Sequence, residues 1–222
     1  MNTFTAARAP GSHAGLIALL AALAAALLWF LSQKFHYFSD YSLASFGEYY
    51  WPRRLGLVAH LTGGACAISV GLVQLWLGLT NRANALHRLL GKLYGVAVLL
   101  GSVGGFYLAF TIPSGYLPYS SGLFMLCVAW ALTTGMALYS IRTRRIEQHR
   151  EWMLRSYTVT FAFVTFRLAS TWLGRWIHVP ADPVADQLDT TLAWACWAIP
   201  LLLAEPLIQL RAMRRLARSA NR

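Results

Sequence analysis

The chain has 222 residues, 57% of them hydrophobic and only 12% charged, with a mean hydropathy of +0.48. Soluble domains carry about 25% charged residues, so half of the usual solvating surface is missing, and a single integral membrane bundle is expected. The net charge of +11 does not call for nucleic acid, because the basic residues lie between apolar runs, where membrane topology and anionic headgroups account for them.

Six apolar runs of spanning length occur at about 16–31, 55–79, 89–112, 122–141, 152–177 and 190–210, and a span needs ~20 residues. The fold expected is therefore all-α: a polytopic bundle of six transmembrane helices in one membrane domain over 1–222. A four-helix core covers about 55–178, and helices at 16–31 and 190–210 flank it. The first run is short and has the flanks of a signal peptide, but aromatic and polar residues follow it, so it reads as an uncleaved signal anchor. Basic residues orient the bundle. With the amino terminus inside, Arg8, Arg82, Arg88, Lys92, the arginines from Arg142 to Arg155 and those from Arg211 onward are cytoplasmic. Only Lys34, Arg53, Arg54 and Arg175 face outward. Both termini are then cytoplasmic, in a bacterial inner membrane.

The second run carries His60, with Gly64, Ala67, Gly71, Gln74 and Gly78 on the same side at 100° per residue. A glycine-lined face admits another helix or a flat cofactor, and helix packing through small residues is the plainer cause. The third run opens with His87-Arg88, then Lys92 and Tyr94, and continues through Gly91, Gly95, Gly101 and Gly105. The fifth opens in a similar way, with His149-Arg150, then Arg155 and Tyr157. This weak echo makes runs two–three and four–five two related hairpins. If the fifth helix is continuous, Ser156, Thr160, Arg167, Thr171, Gly174 and His178 share a polar stripe with His149. Arg167 is a charge inside a span, and such a charge needs a partner or a function. Glu205, the one carboxylate within a span, is the economical partner. The alternatives are that Arg167 holds a haem propionate or a quinone headgroup, or that Glu205 relays protons. The acidic loop with Asp182, Asp186 and Asp189 reads as solvated, since it lacks the tight glycine-containing loop of a calcium site. Cys66, Cys127 and Cys196 lie apart, with no disulfide framework and no zinc spacing.

Residues 86–94 and 149–157, with His60, Gln74 and Arg167, resemble a bacterial family of predicted membrane proteins, domain of unknown function 2306. The resemblance covers about 60–171 and implies no activity. The layout is also similar to that of the b561-like dihaem cytochromes, whose helical core carries paired histidines near both surfaces. The resulting functional expectation is a b-type haem protein that moves electrons within or across the membrane, with quinol or a small reductant as donor. His87 with His149 would ligate an inner haem, with Arg88 and Arg150 near its propionates. His60 with His178 would ligate an outer one, with His36 as a substitute. Haem b, and quinone, are the cofactors expected. A non-catalytic subunit or assembly factor of a membrane complex, or a proton-coupled transporter using Arg167, Glu205 and Gln74, are the other readings. No phosphate-binding glycine loop and no H-E-x-x-H occurs.

Overall fold

In lipid, a backbone amide without a partner costs several kcal/mol, so an apolar run must bond its amides within its own segment. A computed structural model describes residues 11–80, 83–112, 117–176 and 184–220, and the regular structure among them is helical. The helices are α1 (Gly11–Lys34), α2 (His36–Ser39), α3 (Leu43–Tyr50), α4 (Arg54–Thr80), α5 (Asn84–Phe110), α6 (Leu117–Arg142), α7 (Ile146–Thr160), α8 (Ala162–Trp176) and α9 (Val184–Ala220), with a 3₁₀ turn at Trp51–Arg53. Five stretches are long and apolar enough to cross a membrane: Ile17–Lys34, Leu43–Gly78, Ala85–Phe110, Leu117–Arg142 and Gln187–Ala217.

Two stretches depart from the expected pattern. The expected fifth span is two helices, α7 and α8, broken at Phe161. Thr158 and Thr160 donate their hydroxyls to the carbonyls of Leu154 and Ser156, and this back-bonding bends helices. The phase is reset at the break, so the polar stripe does not run through. Ser156 and Thr160 are buried, whereas Arg167, Thr171 and Gly174 are exposed. The link between the first two spans is also helical and forms an aromatic lid. Phe46 is buried in it between the edges of Tyr37, Tyr41 and Trp51. Gly47 breaks the lid helix with φ 67°, a left-handed angle that favours glycine.

Helices α4 to α7 pack as two antiparallel hairpins, α9 lies against α6, α7 and α8, and α1 lies against α4 and α8. Leu89, Val96, Leu99, Val103 and Phe110 of α5 and Leu202, Leu203 and Leu207 of α9 point outward, as a lipid-facing surface requires. The α4–α5 contact is the closest. A β-carbon added at Gly63 would fall 2.6 Å from the Ala97 oxygen and from the Gly101 Cα. One at Gly104 would fall 2.6 Å from the Gly56 oxygen and the His60 nitrogen. These are backbone atoms that cannot step aside. Gly63→Ala is therefore expected to cost about 1–3 kcal/mol, the usual penalty of overpacking, read as a lowered unfolding midpoint in detergent or nanodiscs. Gly64→Ala, with nothing within 4 Å of its added carbon, should leave that midpoint unchanged.

Candidate functional site: a cation-rimmed cavity and a histidine pair

The hairpins enclose a cavity of about 170 Å³ at the lid end of the bundle. Its walls are apolar: Leu57, Leu61, Ile68, Leu123, Leu126 and Phe166 contribute. Lys34, Arg53 and Arg167 line it together with Tyr37, Tyr49, Tyr50 and Tyr119, and among the described residues no carboxylate does. Arg53 is structurally committed. It donates to the carbonyls of Tyr49 (2.6 Å) and Thr111 (2.7 Å) and stacks over the Tyr49 ring, so it ties the lid to the end of α5.

His60 lies on the cavity wall, about two turns into α4. Its Nδ1 is 2.7 Å from the carbonyl oxygen of Gly101. A carbonyl can only accept, so Nδ1 carries the proton and, in the neutral ring, Nε2 keeps its lone pair. The close α4–α5 contact makes this bond possible, because the ring fits against Gly105, where an added β-carbon would meet Nδ1 at 2.9 Å. The ring packs edge-on against Phe163, and Phe163 against Trp130.

Beyond Trp130 lies a buried hydroxyl network. The Trp130 indole donates to the Thr160 hydroxyl (2.7 Å). The Tyr94 hydroxyl bonds both Thr160 and Ser156 (2.7 Å each), and Ser156 bonds Thr134 (2.7 Å). Tyr94, Trp130, Ser156 and Thr160 are almost wholly buried, and their mutual bonds remove the cost of placing polar groups there.

The second cluster sits at the arginine-rich end. His149 holds Nδ1 2.9 Å from the Ala137 carbonyl, which fixes its tautomer as at His60. His87 lies within electrostatic reach of His149 and Arg150. Gln74 donates its amide to the His87 carbonyl (2.6 Å). That bond identifies which atom is nitrogen and leaves Gln74 Oε1, like His87 Nδ1, buried with no partner among the described residues. Both histidines lie in the first turn of their helices, where the His87 and His149 amides bond the carbonyls of Ala83 and Arg145, although the N-caps differ in conformation. A left-handed residue, Ala83 or Arg144, precedes each helix. The echo in the sequence is thus an echo in backbone geometry. Arg88 is exposed, and Arg150 pairs with Glu147 at 3.2 Å.

The expected Arg167–Glu205 pair does not form. Glu205 is held by Arg155 through two bonds of 2.7 and 2.8 Å, and by Gln209 at 2.6 Å. The register of α9 explains this. Ser170 meets Asp189 at one end and Arg155 meets Glu205 at the other. That puts Arg167 level with Leu192, about 20 Å from Glu205 at 1.5 Å per residue. Arg167 instead lines the cavity, near the Phe166 ring. Sequence reading missed Arg155 because it was counted among the cytoplasmic arginines. Lys34 was counted only among the outward-facing basic residues, whereas at the end of α1 it lines the same cavity as Arg167. His36 is exposed on α2, and His178 lies outside the described residues.

The sequence profile of a family described as "Predicted membrane protein (DUF2306)" matches residues 57–208. The chain belongs to this family. The match includes His60, Gln74, His87, His149, Arg167 and Glu205, whereas Lys34, Arg53 and the lid precede it. No curated protein and no solved structure matches the chain.

Haem fits these places unequally. The cavity beside His60 measures about 170 Å³, and its expected second ligand, His178, lies outside the described residues. At the other end, two neighbouring imidazoles, one of them oriented by a backbone carbonyl, are a suitable donor set. Among the described residues no group of three or more His, Cys, Asp and Glu gathers into a metal site. The corrected ion pair is testable by double-mutant cycles. Arg155→Ala and Glu205→Ala should couple by about 0.5–3 kcal/mol, whereas Arg167→Ala and Glu205→Ala should add to within roughly 0.5 kcal/mol. The reverse order would refute the α9 register.

Proposed function

We propose that this member of the family is an electron-transfer protein of the bacterial inner membrane, with six spans and both termini cytoplasmic, whose cavity receives the ring of a quinone or quinol. The clustering of Arg88, Arg142, Arg144, Arg145, Arg150, Arg211, Arg214 and Arg215 at the end opposite the lid supports that orientation. The α7–α8 pair supplies the sixth crossing.

The observation that carries the redox reading is His60. Its Nδ1 proton is committed to Gly101, so Nε2 presents a lone pair in an apolar cavity wide enough for one substituted ring. A quinol hydroxyl would donate a hydrogen bond to that nitrogen, which would hold the ring in the cavity. The Phe163 and Trp130 rings hold the imidazole in place.

A short-chain ubiquinone analogue titrated into nanodisc-embedded protein should quench its tryptophan fluorescence with a saturable midpoint. Gly64→Leu, which fills the cavity where nothing opposes the added side chain, should abolish saturation. His60→Leu should weaken binding about tenfold, the loss of one hydrogen bond of ~1.4 kcal/mol. Identical titrations for all three proteins would overturn this reading.

A second reading, a b-type haem held by His87 and His149, is favoured by the carbonyl-oriented His149 ring and the unpartnered Nδ1 of His87. Such a haem would supply a one-electron acceptor, with Arg88 and Arg150 available to its propionates. A reduced-minus-oxidised b-type band should then vanish in His149→Ala and survive in His60→Ala. Colourless protein from haem-replete cells rejects the haem and leaves the quinone site to its own test. Colourless protein that also binds no quinone would favour the non-catalytic subunit.

A further inference from the structure

The lid end of the bundle carries a charge problem that a neutral quinone ring does not solve. Lys34, at the end of α1, and Arg167, in α8, line the same cavity and lie within electrostatic reach of one another. Among the described residues neither forms an ion pair. Lys34 stands near the Tyr37 ring and Arg167 near the Phe166 ring. The third cation, Arg53, already gives its terminal nitrogens to two carbonyls. The described carboxylates at this end are engaged or turned outward: Asp189 accepts from Ser170, and Asp40 and Glu48 are exposed on the lid. Two like charges held together at the edge of a bilayer repel each other unless an anion sits between them.

The depth suits a lipid phosphate. Trp51, Trp172 and Trp176 mark the headgroup level near the lid, and Arg167 lies five residues deeper along α8 than Trp172. We propose that Lys34 and Arg167 clamp the phosphate of an anionic phospholipid at the rim of the cavity. This site is independent of the quinone ring bound beside His60.

The test uses full-length protein in nanodiscs of phosphatidylcholine with and without phosphatidylglycerol. Retained phosphatidylglycerol is counted by native mass spectrometry after transfer to detergent. One basic residue near a membrane surface is worth ~1 kcal/mol, so Lys34→Gln and Arg167→Gln should each lower retention about fivefold, and the double variant about 25-fold. Lys34→Arg should restore most of it, which separates charge recognition from misfolding. Arg175→Gln, a neutralised arginine at the exposed end of α8, should retain lipid as the parent does.

Retention that falls equally in Arg175→Gln, or in none of the variants, overturns the site. So does inorganic phosphate that displaces the lipid at matched concentration, because the ligand is then a soluble anion. Quinone titrations on the same preparations keep the two proposals apart: loss of lipid with unchanged quinone binding supports both. Loss of quinone binding in His60→Leu with lipid retained leaves the rim site standing.

Discussion

Where α4 and α5 meet, two helix backbones touch with no side chain between them, and most of the lid-end geometry follows from that contact. Gly63 lies against Gly101, and Gly104 against Gly56 and His60. Lipid tails are as apolar as leucine, so such helices associate through close packing rather than through exclusion of water. The proximity also has a chemical consequence. Only at this separation can the His60 ring reach the Gly101 carbonyl, and that bond decides which imidazole nitrogen faces the cavity. Gly64, one residue and 100° further round the helix, has nothing within 4 Å of its missing β-carbon and lines the cavity. Neighbouring glycines thus do opposite work: one closes an interface, and the other leaves space.

The interior inverts the order of a soluble protein. Leucines, valines and phenylalanines face outward, while hydroxyls are gathered at the centre around Tyr94, Ser156 and Thr160. A solitary serine or threonine in lipid is costly, but five donors that bond one another across α5, α6 and α7 hold three helices in register. The same threonines that feed the network bond back to their own helix, and the chain breaks at Phe161. The break turns α8 so that Ala162, Phe163 and Phe166 face the cavity. Network, break and cavity wall are one connected arrangement.

Much of the helix layout was legible in the sequence, because the length of an apolar run and its flanking charges are local properties. The related helix starts at His87 and His149 were also legible, through His-Arg and the tyrosine that follows. Three features were not. The break at Phe161 depends on threonine back-bonding that no hydropathy pattern records, and it invalidated the stripe drawn through Arg167. The Arg155–Glu205 pair depends on where α9 stops sliding along α7 and α8, and a one-dimensional reading has no measure of that register. The helical lid after the first span has no counterpart among the expected apolar runs, and it seats Arg53 and its tyrosines beside a cavity built by more distant segments.

The two ends of the bundle treat their charges differently. At the arginine-rich end, cations are answered by carboxylates: Glu147 pairs with Arg150 and Arg215, Glu151 with Arg215, and Glu205 with Arg155. These contacts tie the long extension of α9 to the start of α7, and they include polar atoms from both elements. At the lid end the described carboxylates, Asp40, Glu48 and Asp189, are exposed or engaged with Ser170, while Lys34 and Arg167 line the cavity with apolar residues and tyrosines. Mere compensation of buried charge would place acids at both ends, since a membrane penalises an unpaired cation wherever it lies. Among the described residues the ion pairs form at the arginine-rich end, whereas Lys34 and Arg167 at the lid end form none. Glu147, Glu151 and Glu205 therefore serve the fold by tying α9 to α7, whereas Lys34 and Arg167 are the cations that an anion from outside the chain would answer.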